Sequence, residues 1–150
     1  MSPLKRFHSQ LAGPTTVLTV GTRPARKRPI TVDVWFATQS HTLQTAEGRV
    51  QVRPGDAVLT GLRGERWRVT RVRFDARYAP LPPLQTGQDG RYRSLPLAVQ
   101  ALCMDQAFEV LLSDGVSLLH GAPGDWLIDY GDGSLGVVAG AWFADLYELP

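Results

Sequence analysis

The stretch that decides the fold occurs twice: Pro54-Gly55-Asp56-Ala57-Val58-Leu59-Thr60 returns as Pro123-Gly124-Asp125-Trp126-Leu127-Ile128-Asp129. Extending this alignment without a gap pairs residues 54–78 with 123–147, and seven of the 25 pairs are identical. Unrelated sequences would match at about one or two of these positions, so the similarity indicates an internal repeat. Upstream, residues 29–34 (Pro-Ile-Thr-Val-Asp-Val) resemble residues 96–101 (Pro-Leu-Ala-Val-Gln-Ala). We therefore predict two diverged copies of one unit, at 29–78 and 96–147.

Each copy has the pattern of several short β-strands followed by a helical turn. Residues 30–36 alternate apolar and polar side chains, which is typical of a strand, and we interpret the matching residues 95–104 as a strand as well. Ser113-Asp114-Gly115 between apolar runs predicts a hairpin. Phe74 and Tyr78 are four residues apart, as are their counterparts in the second copy, so each pair can lie on one helix face and close the sheet.

The predicted fold is mainly β, a β-rich α+β fold of two tandem small β-barrel or sandwich-like repeats, each closed by a short helix. Residues 29–78 form the first, basic repeat and residues 96–150 the second, acidic repeat. Residues 1–28 are predicted to be a flexible basic segment because they are rich in Pro, Gly, Thr, Arg and Lys. Residues 79–95, which begin Ala-Pro-Leu-Pro-Pro, are predicted to be the linker.

Charge is divided unevenly along the chain. Residues 1–93 hold all 16 Lys and Arg with 6 acidic residues, a net charge of +10, whereas residues 94–150 hold 8 acidic residues and no Lys or Arg, a net charge of −8. Such a division indicates a charged partner, or two halves that dock on each other within one chain or between copies.

Composition excludes several other classes. No apolar run approaches the ~20 residues of a membrane-spanning helix, so no membrane association is expected. Cys103 is the only cysteine, which rules out an intramolecular disulfide and a cysteine-based zinc site and favours a cytoplasmic location. The three histidines lack a metal-binding spacing, and Gly61-Leu62-Arg63-Gly64 does not open a helix as a phosphate-binding loop would. We predict no metal and no cofactor.

A family resemblance follows from the repeated segment. Residues 54–67, followed by 74–78, resemble a segment found in small bacterial and phage proteins, and residues 123–147 are similar to the PGDYG family. The string that gives the family its name remains in altered form as Asp132-Gly133-Ser134-Leu135-Gly136. The resemblance covers residues 29–147 and implies a fold unit in a phage- or defence-associated setting. It implies no catalytic residue.

Candidate catalytic groups are sparse. Asp56 and Asp125 could be paired acids, but an Asp in a Pro-Gly-Asp turn usually binds nearby backbone amides, and we favour that structural role. His41 and His120 could act as acid–base partners of these carboxylates, although isolated surface histidines are more common. Cys103 ends a predicted buried strand in the acidic half, so we interpret it as a packing residue rather than a nucleophile.

Arginines distinguish the two copies. Alternation in the strand at 65–69 places Arg66 and Arg68 on the face opposite Trp67, and the second copy has Leu135 and Val137 at these positions. Arg73 becomes Trp142, which is the tryptophan expected at an interface. The predicted binding residues are Arg63, Arg66, Arg68, Arg73, Arg77 and Trp142. A merely solvated charged surface is the alternative.

Three functions fit these observations. The first is a non-catalytic binding or assembly module that recognises an anionic small molecule, a protein partner, or another copy of the chain through its basic and acidic halves. The second is sequence-tolerant nucleic-acid binding through residues 23–28 and the arginine face, against which the acidic half argues. The third is an enzyme acting on a nucleotide or phosphorylated metabolite, with Asp56, Asp125, His41 or His120 between the units.

Overall fold

The computed structural model describes residues 4–9 and 21–150. These residues form fifteen strands and two short helices, so the predicted mainly β fold is confirmed. In chain order the elements are β1 (Lys5–His8), β2 (Arg23–Lys27), β3 (Thr31–Phe36), β4 (His41–Thr45), β5 (Gly48–Val52), β6 (Ala57–Thr60), β7 (Arg66–Val69), α1 (Arg71–Arg77), β8 (Tyr78–Pro80), β9 (Gly90–Ser94), β10 (Ala98–Cys103), β11 (Phe108–Leu111), β12 (Leu118–Gly121), β13 (Trp126–Asp129), β14 (Leu135–Val138), α2 (Phe143–Leu146) and β15 (Tyr147–Glu148).

The chain divides into two compact units that are not its two sequential halves. Unit 1 combines the residues up to Lys27 with Ala98–Pro150, and unit 2 is Arg28–Leu97. Unit 2 carries 11 basic and 6 acidic side chains, a net charge of +5, and unit 1 carries 5 basic and 8 acidic side chains, a net charge of −3. The charge difference between the units is therefore smaller than the +10 and −8 of the two sequence segments.

Unit 2 is built on a five-stranded antiparallel sheet in the order β7-β6-β3-β9-β8. One face of this sheet holds the main core, into which α1 inserts Phe74. The members of this core are Val32, Val34, Ala57, Leu59, Val69, Phe74, Tyr78 and Tyr92. Since Ala57 and Leu59 both point into it, the intervening Val58 lies on the opposite face, where it is also buried. The hairpin β4–β5 contacts β7, and its residues Leu43 and Val50 are buried.

Unit 1 contains a five-stranded sheet in the order β14-β13-β10-β2-β15 and a three-stranded sheet in the order β1-β11-β12. Phe108 and Val110 of the smaller sheet pack with Leu127 and Leu135 of the larger one in a shared core. A second core, on the α2 side, contains Ala25, Val99, Ala101, Ile128, Phe143 and Tyr147. The larger sheet therefore has a packed core on each face.

Both Pro-Gly-Asp segments form the same turn. An Asp56 carboxylate oxygen accepts a hydrogen bond from the Arg53 amide at 3.0 Å, and one from Asp125 accepts from the Ala122 amide at 2.9 Å. Gly55 and Gly124 have φ of 92° and 93°, a region that favours glycine. The structural role predicted for the two aspartates is confirmed.

Two predicted irregular regions contain strands. β1 and β2 lie in the segment 1–28, of which residues 1–3 and 10–20 fall outside the described residues, and β8 and β9 lie in the predicted linker 79–95. In β2 only Ala25 is buried, between charged and proline neighbours, so its composition resembles that of a solvated segment. Its strand conformation comes from pairing with β10 and β15, which are distant in sequence.

Lys27, at the end of β2, should make unit 1 more stable as pH rises. Lys27 is half-buried, and the resulting desolvation of its ammonium group lowers its pKa from 10.5 to about 8. Between these values the unfolded chain keeps a proton that the folded chain has lost, so the free energy of unfolding increases with pH, by at most about 3 kcal/mol. We expect Lys27→Met to be more stable than the parent near neutral pH and this advantage to shrink towards pH 10. Urea unfolding at both pH values measures it, and a constant difference would contradict it.

Candidate functional site

The face of the unit 2 sheet opposite its main core carries a polar, exposed surface, which we call the open face. Residues of β3, β6, β7 and β9 that alternate with the core residues build it. The open face consists of Thr31, Asp33, Trp35, Thr60, Arg66, Arg91 and Arg93. All of these are exposed except Thr60, which is half-buried.

Strand register aligns these side chains in rows. Arg66 pairs with Thr60, Thr60 with Asp33, and Asp33 with Arg91, which makes one row across four strands. Arg93 pairs with Thr31 in the next row. Neighbouring strands are ~4.8 Å apart, so the backbones that carry Arg66 and Arg91 are separated by roughly 14 Å. The guanidinium groups therefore spread over a surface rather than converge on one point.

Positive charge exceeds negative charge on the open face. Arg91 Nε lies 3.7 Å from Asp33 Oδ1, but both side chains are more than 70% exposed and such a pair contributes little to stability. Within the described part of the chain, Arg66 and Arg93 form no salt bridge. Three arginines against one aspartate leave a net charge of +2, and the guanidinium groups remain available to an anion.

An aromatic platform lies beside the charged rows. The Trp35 side chain is 38% exposed, and its ring stacks on that of His41 with centroids 5.5 Å apart and an interplanar angle of 16°. The Gln39 carbonyl oxygen lies 3.1 Å from His41 Nδ1 and orients the imidazole. Leu102, the residue of unit 1 aligned with Trp35, packs instead against a core. Trp35 is thus an exposed aromatic ring on a β-strand, able to stack a planar group.

The structure separates the predicted binding residues. Arg66 lies on the open face, and Arg63 lies in the turn before β7. Arg73 and Arg77 belong to α1, on the opposite side of the sheet, and Trp142 lies in unit 1. Arg63, Arg73, Arg77 and Trp142 are each engaged in further interactions.

Arg68 shares the side of Arg66 but is not available to solvent. Its side chain is only 9% exposed, and its Nη1 lies 3.7 Å from the Asp56 carboxylate. Its Nε is buried without a hydrogen-bond partner. The strand pattern placed Arg68 on the correct face, but it could not reveal that this part of the face is covered.

The predicted set of binding residues lacks Arg91 and Arg93. Both lie in β9, within the segment predicted as a linker. The signal that could have identified them is the alternation Arg91-Tyr92-Arg93-Ser94, in which Tyr92 and Ser94 are buried.

Other titratable groups form local structural contacts. Buried Glu109 lies in register between Arg6 and His120, at 2.5 Å from Arg6 Nη2 and 3.8 Å from His120 Nδ1. Asp125 also accepts a hydrogen bond from the Gly140 amide at 3.0 Å. Across residues 4–9 and 21–150, no three potential metal-ligating side chains of His, Cys, Asp or Glu lie together. The described helices are all too short to cross a membrane.

Comparison with known proteins identifies the family. No curated protein and no solved structure matches the chain significantly. A family model described as PGDYG protein matches residues 48–148, which include β6, β7 and β9 of the open face. Because this match covers about two thirds of the 150 residues, the chain belongs to the PGDYG family.

Proposed function

We propose that this protein is a non-catalytic binding module that recognises nucleotide phosphates on the open face of unit 2. The observation that carries the proposal is the combination of three exposed arginines with the exposed Trp35 ring on one regular sheet. Arginine forms paired, charge-assisted hydrogen bonds to phosphate oxygens, and a tryptophan face stacks a base regardless of its identity. We also propose a cytoplasmic location, with which the free thiol of Cys103 is compatible. This side chain is exposed at the end of β10, so the packing role predicted for it is wrong.

The geometry favours an extended ligand over a compact anion. Arg66 and Arg91 are three strands apart, and a flat surface at this spacing cannot enclose a single phosphate. A base on Trp35 with its phosphates directed to Arg91 and Arg93 fits such a surface. A free nucleotide and a single-stranded nucleic acid share this chemistry.

We expect the double variant Arg91→Gln/Arg93→Gln to bind nucleotide phosphates at least about tenfold more weakly than the parent, because it loses two phosphate contacts. Fluorescence anisotropy would measure binding of a labelled nucleoside triphosphate and of a labelled single strand of about 12 nucleotides, a length typical of such sites. If the single strand alone binds, and binds less tightly as salt rises from ~50 mM, the source of the phosphates is nucleic acid.

The matched control is Arg73→Gln/Arg77→Gln, which removes the same charge from unit 2 but on α1, behind the sheet. Its binding should equal that of the parent. An equal loss of affinity in both double variants would show that binding depends on net charge alone, and would overturn the role of the open face. The proposal also fails if neither probe binds the parent at ~50 mM salt, where phosphate contacts are strong.

A further inference from the structure

The five-stranded sheets of the two units follow one plan. Strands in the orders β7-β6-β3-β9-β8 and β14-β13-β10-β2-β15 correspond one to one. For four of the five pairs, the strand in unit 2 comes earlier in the chain than its counterpart in unit 1. The pair β9 and β2 is the exception, because the unit 2 strand comes later.

Register supports the correspondence of β9 with β2. In unit 2, Val32 lies opposite Tyr92, and in unit 1, Val99 lies opposite Ala25. Residue 99 is 67 positions after residue 32, and residue 92 is 67 positions after residue 25, so the two pairings are equivalent. A slip by one residue would have turned the opposite faces of these strands to the core.

Side chains inside the two sheets also correspond. Phe74 stacks on Tyr78 at 5.1 Å and Phe143 on Tyr147 at 5.4 Å, with interplanar angles of 15° and 13°. Trp67 packs against the core of unit 2, and Tyr130 packs against the α2-side core of unit 1.

At two equivalent positions of the repeat, an aromatic residue and a glycine occur in opposite order in the two copies. A Cβ atom on Gly61 would clash with the Glu65 carboxylate and lie 3.2 Å from the Trp67 ring, and one on Gly136 would lie 2.8 Å from the Tyr130 hydroxyl. Gly61 aligns with Tyr130 and Trp67 with Gly136, both 69 residues apart. Each sheet thus holds one aromatic ring at this place, from the first of the two aligned positions in unit 1 and from the second in unit 2.

Short proline segments lead from β2 to β3 and from β9 to β10. These connections are residues 28–30 (Arg-Pro-Ile) and 95–97 (Leu-Pro-Leu). The chain passes from unit 1 to unit 2 just before the first and from unit 2 to unit 1 just after the second. A residue before proline favours extended backbone, which opposes a tight hairpin and favours strand exchange. The Ser94 hydroxyl donates to the Arg28 carbonyl at 2.9 Å and accepts from the Ile30 amide at 2.8 Å, which holds the first connection.

We infer that the chain contains two copies of one unit, 23–80 and 90–148, that have exchanged their first strands. β9, the first strand of the second copy, inserts between β3 and β8 of the first, and β2 inserts between β10 and β15. The open face is therefore composite: the second copy supplies Arg91 and Arg93 to a sheet of the first. Only this last role depends on the proposed function, since the exchange follows from strand pairing.

Four double-cysteine variants in a Cys103→Ser background test the exchange in the full-length chain. Exchange predicts disulfides in Arg26→Cys/Ala98→Cys and Thr31→Cys/Arg93→Cys, whose positions face each other across strands. Unexchanged copies would instead link Arg26→Cys/Thr31→Cys and Arg93→Cys/Ala98→Cys. A protease site inserted between Gln85 and Thr86, in the exposed segment before β9, would then separate the copies.

Non-reducing electrophoresis after cleavage gives the result. We expect the first two variants to keep both fragments joined and to release them on reduction, and the other two to yield separate fragments. Separate fragments in the first two variants would overturn the exchange, whether or not the other two form disulfides. Because this readout contains no ligand, failure of nucleotide binding leaves it unaffected, and anisotropy on the joined fragments tests the composite face separately.

Discussion

Tyr92→Ala is expected to lower the free energy of unfolding by about 3–5 kcal/mol, as truncation of a buried aromatic residue does. The Tyr92 side chain is fully buried, and its ring centroid lies 4.9 Å from that of Phe74 and 6.2 Å from that of Phe36. Alanine would leave a cavity in the centre of the unit 2 core, between β3 and β8. Urea unfolding followed by circular dichroism measures the change.

The Tyr92 hydroxyl allows a milder substitution as the control for Tyr92→Ala. It donates to the Gln88 carbonyl at 2.7 Å and accepts from the Gly87 amide at 2.9 Å, so it holds the segment that leads into β9. Tyr92→Phe keeps the ring and removes these bonds, which should cost about 1–2 kcal/mol. If Tyr92→Ala is no less stable than Tyr92→Phe, the ring does not support the core as described.

Gly121→Ala should destabilise unit 1 by about 1–3 kcal/mol or more, the usual cost of overpacking. Gly121 lies directly opposite Phe108 in the smaller sheet, and a Cβ atom there would overlap the Phe108 ring. The ring is fully buried and contacts Phe7 edge-on at 6.3 Å, so it has little room to move. Thermal unfolding would report the loss as a lower Tm.

A double-mutant cycle separates this clash from a general effect on β12. Phe108→Leu alone should destabilise the protein because it removes buried aromatic surface. In the double variant Phe108→Leu/Gly121→Ala, the smaller side chain at 108 makes room for the added methyl group. The stability lost in the double variant should therefore be less than the sum of the losses in the two single variants. Additive losses would show that the Phe108 ring is not what excludes a side chain at 121.

Much of the fold could be predicted because its strands carry local signals. The alternation of Val32 and Val34 with polar residues and the two Pro-Gly-Asp turns mark strand positions without reference to the rest of the chain. β2 has only Ala25 to mark its buried face, and its partners lie far along the chain. Local patterns cannot detect a strand that is specified by distant pairing.

Less of the candidate site than of the fold could be predicted, because local patterns do not report side-chain exposure. Alternation placed Arg66 and Arg68 on one side of β7, and the structure agrees. Their exposure differs because Arg68 is buried beside Asp56 of the Pro-Gly-Asp turn, and burial of this kind is a tertiary property. The sequence does not identify Arg91 and Arg93 as site residues because the Pro-rich start of their segment predicts a linker. The charge division between the two sequence segments also overstates that between the units. The reason is that the five basic residues of the first 27 positions lie in unit 1, with the acidic residues, and not in unit 2.

The pairing of β2 has a consequence for biosynthesis. Ala25 lies opposite Val99, and Lys27 lies opposite Tyr147, which follows it by 120 residues. On the ribosome, β2 leaves the exit tunnel long before β15 and must wait for it before its sheet can close. The unit 2 sheet needs no residue beyond Ser94 and can assemble during translation. Closing such long loops slows folding. In the nascent chain, β2 has no partner strand until β10 has emerged, and its sheet is complete only after β15.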